Sequence, residues 1–190
     1  MSADTSERLS RISIFLHWTT AGLVIATLVA GSPLDDMPDG VSRWEAIAFH
    51  ISLGLTVLAW GLARGLWRLS NGMPVPLKAY NAATRLVSKV VRYGMLLLSV
   101  ALPVSGIFMA VEKGYGISYF GFEIIKSAET KIATVTNLQT VHQIGAWTMV
   151  AFIGIHVAAS LKALLVDRDG SFPRMLGVTL RSTKPSDSRR

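Results

Sequence analysis

The 190-residue chain contains no cysteine. A disulfide framework, a thiolate-held iron-sulfur cluster and a Cys-x-x-Cys-His attachment for covalent haem are therefore excluded. Charge is also scarce: 16% of residues are Asp, Glu, Lys or Arg and 51% are hydrophobic, too apolar for an ordinary water-soluble domain of this size. Histidine occurs only four times, as His17, His50, His142 and His156, and no internal repeat or low-complexity tract is present.

What the chain does have is long apolar runs. Residues 12–31, 44–67, 90–111 and 138–166 are each long enough to cross a hydrocarbon core of about 30 Å, which takes about 20 residues. The first run is too long for a secretory signal and carries an internal His17-Trp18, so it reads as a mature helix. The expected fold is all-α, an integral membrane four-helix bundle of residues 11–175, preceded by a disordered N-terminus (1–10) and followed by a basic cytoplasmic tail (176–190).

The net charge of +7 is distributed by loop. The N-terminus, the connection between the second and third runs, and the tail hold 15 Lys and Arg against 5 Asp and Glu; the other two connections and their flanks hold 4 against 7. This asymmetry places both termini in the cytoplasm, orients the chain in an anionic lipid bilayer and argues against nucleic acid as a partner. Gly72, Pro74 and Pro76 end the second helix, and residues 80–92 read as an interfacial helix or an extension of the third. Pro103 should kink that third helix. The outer stretch YGISYFGFEI reads as an aromatic cap at the membrane surface, serving as an anchor or as the lid of an outward-facing redox site.

All four histidines fall inside the apolar runs, where an ionisable group marks a functional site. His142 and His156 are 14 residues apart on one segment. On a helix that is within about 40° of the same face and roughly 21 Å along the axis. Depth then pairs His17 with His156 near the inner surface, and His50 with His142 near the outer one. Zinc or copper would want further carboxylate, Cys or Met ligands at these depths, and apart from Glu45 at the outer edge of the second run no Asp or Glu lies within the runs. Two non-covalent haem b groups, each held by two imidazoles, fit better. Small residues four positions after each histidine (Ala21, Gly54, Ala146 and Ser160) would give a macrocycle room. Arg64 and Arg68, one turn apart, are placed to meet its propionates.

RISIFLHWTT around His17, AFHISLG around His50, ALPVSG in the third run, and VHQIGAW and GIHVAAS around His142 and His156 resemble the bacterial cytochrome b561 family over residues 10–175. The resemblance implies an inner-membrane, multi-pass di-haem oxidoreductase passing electrons between an outer-face donor and the quinone pool. It further implies that His17 and His156 ligate the cytoplasmic haem, and His50 and His142 the periplasmic one. One branch of the family oxidises superoxide and reduces ubiquinone. Members of that branch commonly carry histidine near the start of the third helix, where this chain reads SKVVRYG, with Lys89 and Arg92. Lys89 is thus the candidate donor to a quinone carbonyl. The outer loops are net negative, so superoxide would need Lys113, Lys126 and Lys131 to cluster over the outer site. The alternative is a haem-bearing anchor that relays electrons for a separate periplasmic dehydrogenase or hydrogenase-like subunit. No catalytic residue is legible.

Overall fold

The structure, a computed structural model, describes residues 4–5, 8–74, 76–127 and 137–180. Four long helices carry it: α1 Arg11–Gly31, α2 Val41–Asn71, α3 Ala82–Glu112 and α4 Leu138–Lys162. A π-helical turn, Ala163–Asp167, continues α4 and leads to a short α5, Ser171–Met175. All four long helices have the length and hydropathy to cross a membrane. Their starts follow local chemistry, because side-chain oxygens satisfy backbone N–H groups that have no partner within the helix. Ser10 Oγ accepts from Ser13 N at 3.1 Å, Asn81 Oδ1 from Thr84 N at 2.8 Å, and Asn137 Oδ1 from Thr140 N at 3.1 Å.

Residues 82–92 form the first turns of α3, so the segment between the Pro-containing loop and the third run is a helix extension. Pro103 lies inside α3 and donates no hydrogen bond, which frees the carbonyl of Ser99 four residues earlier. Gly61 of α2 packs against that carbonyl: a Cβ at position 61 would lie 2.8 Å from Ser99 O. Gly94 and Gly145 likewise let α3 and α4 close on each other, against Phe152 and Leu102 respectively.

α1 packs on α2, α2 on α3, and α3 on α4. The buried centre is a layer of Val24, Val57 and Met149, backed by Met95, Leu98 and Ile153. Outside it, large apolar side chains such as Phe15, Val29, Leu97, Phe108 and Trp147 face outward. Helices that are apolar on every side suit lipid as the surrounding solvent.

The all-helical expectation needs one addition. The expected aromatic cap contains an antiparallel hairpin, β1 Ile117–Tyr119 and β2 Phe122–Ile125, with Tyr119 opposite Phe122. Its two-residue turn has φ 46° at Phe120 and φ 93° at Gly121, the positive values that a tight hairpin turn needs. The hairpin lies against α2, where Ser52 Oγ accepts from Phe120 N at 3.0 Å. Trp44 meets Tyr115 edge to face at 4.9 Å, and Phe49 meets Phe120 at 6.3 Å between ring centres.

The N-terminal stretch expected to be disordered is packed at its described residues. Leu9 and Ser10 are buried, and Asp4 bridges to Arg68 at 2.8 Å with both side chains nearly covered. Asp4 also accepts from Ser10 N and Ser13 Oγ, each at 2.8 Å, and Trp67 Nε1 donates to Ser13 Oγ at 2.8 Å. Polar groups at a helix start recruited a strand of chain that composition alone reads as frayed. Residues 181–190 of the basic tail lie outside the described residues.

Two outcomes follow from this packing. Gly61→Leu should destabilise the detergent-solubilised protein by about 1–3 kcal/mol through overpacking against the α3 backbone. Gly65→Ala, where a Cβ meets nothing within 4 Å, should leave the thermal midpoint unchanged. Burial pushes the Asp4 carboxyl up, but the bonds from Arg68, Ser10 and Ser13 outweigh it and hold the group below its ordinary 3.8. A depressed carboxylate stabilises the fold above its unfolded value, and that contribution is lost as pH falls through the folded value. Amide exchange at residues 8–13 should therefore be slow at neutral pH and accelerate below 3.8 beyond the intrinsic pH effect, whereas Asp4→Asn should exchange fast throughout.

Candidate functional site

The structure brings the four histidines together in two pairs. His17 of α1 faces His156 of α4 with ring centres 6.1 Å apart, and His50 of α2 faces His142 of α4 with ring centres 6.3 Å apart. A metal between two imidazole nitrogens at about 2 Å each sets ring centres roughly 6 Å apart, so both spacings suit an ion held from two sides. Among the described residues no group of three His, Cys, Asp or Glu could complete such a site. Further ligands must come from a planar macrocycle or from solvent.

The helices leave space for one. α4 packs closely on α3, whereas neither α1 nor α2 is among the elements packed closely against it. Its two histidines therefore reach across gaps to helices that stand off. Met149 lies midway between them in sequence, and its buried layer with Val24 and Val57 separates the two pairs.

Ring orientation at the His50/His142 pair is fixed by neighbours. His50 Nδ1 lies 3.1 Å from the carbonyl of Thr27, which can only accept, so Nδ1 carries the proton and Nε2 keeps its lone pair. Ser105 Oγ donates to Leu102 O at 2.8 Å and therefore accepts from His142 Nδ1 at 2.9 Å, with the same result. Gly31 and Gly106 make room for these rings: a Cβ at each would stand 2.6 Å from His50 Cε1 and 3.3 Å from His142 Cε1. The small residues expected to give room stood at i+4 on the same helices; at one of them, Gly54, a Cβ meets nothing within 4 Å.

The His17/His156 pair has a different setting. Arg64 Nη2 lies 3.1 Å from His17 Nδ1 and can only donate, which leaves the imidazole proton on Nε2. To ligate a metal through Nε2, His17 must take the other tautomer and Arg64 must give up this bond, becoming available to a carboxylate. Arg64 and Arg92 both act electrostatically on His156, and Arg68 acts on His17. Arg68 is itself neutralised by Asp4. Lys89 is exposed on α3 and is not among the charges acting on either pair; Arg92, three residues on, is.

At the hairpin end, Lys113 Nζ donates to Gln139 Oε1 at 2.6 Å, and Gln139 and Gln143 both donate to Asp35, at 3.2 and 2.5 Å. Lys113 thus stands beside Gln139 in the first turn of α4, and Gln139 is three residues before His142. Lys126 is exposed, and Lys131 lies outside the described residues. Nothing in the sequence signals Thr27, Gly31 or Asp4, whose roles depend on helix pairing. Ser105 was visible as a small polar residue in ALPVSG without a partner to assign.

Residues 8–178 match the family described as prokaryotic cytochrome b561. The chain is also similar to cytochrome b561 homolog 2 of Escherichia coli (strain K12), with 30% identity over 177 residues that cover 92% of this chain and 94% of the relative. The histidine-bearing apolar bundle and the match along nearly its whole length lead to one assignment: the chain belongs to the prokaryotic cytochrome b561 family, and is a bacterial multi-pass membrane protein of haem-b electron transfer.

Proposed function

We propose that the chain holds two haem b groups, one at each histidine pair, and carries electrons across the inner membrane from a periplasmic one-electron donor to the quinone pool. The observation that carries this reading is the pair of ring spacings, 6.1 and 6.3 Å, on either side of one apolar layer. The charge asymmetry of the connections supports an orientation with the His17/His156 end in the cytoplasm and the hairpin end outside.

Haem held by these imidazoles would supply reversible one-electron chemistry. The chain's own part is to fix the rings, exclude water from the intervening layer and balance charge. Thr27 O and Ser105 Oγ hold the outer imidazoles in the ligating tautomer. Arg64 is the cation available to a propionate at the inner site, whereas Arg68 is held by Asp4. With superoxide as donor, two superoxide anions lose one electron each to give two dioxygen, and one quinone takes both electrons and two protons to give quinol. Lys113 reaches the outer end of α4 through Gln139, three residues before His142, and Lys89, exposed on α3, is available to a quinone arriving through lipid.

Protein purified from haem-replete cells should give two b-type haems per chain by pyridine haemochrome. His142→Ala and His17→Ala should each lose one of them. A colourless wild-type protein would return the four histidines to packing. In stopped-flow at low salt, superoxide should reduce the haem, and Lys113→Gln should slow that reduction several-fold, with the difference vanishing at high salt. An unchanged rate removes Lys113 from the pathway. A chain inert to superoxide but reducible by a soluble redox protein would favour the anchor role.

A further inference from the structure

The two histidine pairs differ in the charge around them. At the His50/His142 pair both Nδ1 atoms donate to neutral oxygens, Thr27 O at 3.1 Å and Ser105 Oγ at 2.9 Å, and among the described residues no Arg or Lys hydrogen-bonds to either ring. Asp35 and Lys113, of opposite sign, both reach Gln139 at that end and offset each other. At the His17/His156 pair, Arg64 touches His17 and Arg92 acts on His156. Among the described residues neither arginine forms an ion pair with a carboxylate, whereas Arg68 does so with Asp4. The apolar layer of Val24, Val57 and Met149 keeps the dielectric low between the two sites.

A one-electron centre with neutral axial ligands carries one more positive charge when oxidised than when reduced. A fixed cation nearby disfavours the oxidised form and raises the potential, and donation from an imidazole Nδ1–H to oxygen makes the ligand more basic and lowers it. We propose that the chain poises its two sites at unequal potentials, with Arg64 as the positioning residue that makes the His17/His156 site the stronger electron acceptor. This rests on the two-haem reading above. Each electron that leaves the His50/His142 site reduces the His17/His156 site, and the imbalance gives inward transfer a downhill direction. Arg64 does this beside the ligand and takes no part in the chemistry itself.

The test is potentiometric titration of the full-length, haem-loaded protein in detergent, followed by visible absorbance. Wild type should show two components. The one retained in a His50→Ala/His142→Ala chain should be that of higher potential. Arg64→Gln should lower this component alone, cutting its reduced-to-oxidised ratio at fixed poise by about tenfold, equivalent to 59 mV for a one-electron couple. Arg64→Lys, which keeps the charge, should recover most of the shift. Arg92→Gln, which leaves Arg64 in place, should move the same component in the same direction by less, and it carries the test if Arg64→Gln does not fold. Two haems with the retained component at the lower potential, or with neither arginine substitution moving it, overturn this inference and leave the proposed function standing. Fewer than two haems per chain overturns both.

Discussion

Hydrocarbon offers a peptide group no hydrogen-bond partner except another peptide group, and the rest of the structure depends on that constraint. It makes the four apolar runs helices whatever their residue propensities, and so tolerates Pro103 and the many glycines in α2, α3 and α4. Wherever one of these residues opens the regular ladder, another element fills the gap: Gly61 lies against the carbonyl freed by Pro103. The same constraint makes an imidazole in this environment costly unless it is bonded or ligated. Three of the four rings, His17, His50 and His142, have a hydrogen-bond partner at Nδ1, and the partner's chemistry fixes which nitrogen is left to bind.

Helix α4 organises the site. It supplies one histidine to each pair, and the apolar layer around Met149 separates them. Close packing of α4 on α3 through Gly94 and Gly145, without comparable packing on α1 or α2, leaves gaps that the rings cross. A bundle closed tightly on all sides would have brought helices together at the expense of any space for a planar group. The small buried core suits a bundle whose outward faces are apolar and meet lipid.

The ends of the bundle are finished by polar chemistry of opposite kinds. At the basic end Asp4, Ser10, Ser13, Trp67 and Arg68 form one connected network, and Lys78 and Lys162 share Asp167 while Tyr80 donates to Asp169 at 2.8 Å. These contacts tie the N-terminal stretch and the Pro-containing loop to the helix ends. At the other end an aromatic hairpin lies along α2, and a Gln-Asp-Lys network joins the α1–α2 connection and the end of α3 to the start of α4. Charge is thereby kept within reach of one histidine pair and balanced at the other.

The sequence by itself determined the number of spans, their approximate limits and the pairing of histidines by depth, because hydropathy and helical rise are one-dimensional quantities that the chain order contains. It also singled out Arg64, whose position one turn from Arg68 could be counted. The tertiary structure decided the rest, because each further feature depends on which helix faces which. The carbonyl that orients His50 comes from α1, the hydroxyl that orients His142 comes from α3, and the glycine that admits His50 is Gly31. The hairpin was hidden because its strands are short and lack a clear alternation, and its turn relies on a positive φ at Phe120 that Ser52 helps to hold. Asp4 was hidden for the same reason: a polar residue near a terminus reads as solvated until its partner Arg68, 64 residues away in the chain, is brought beside it.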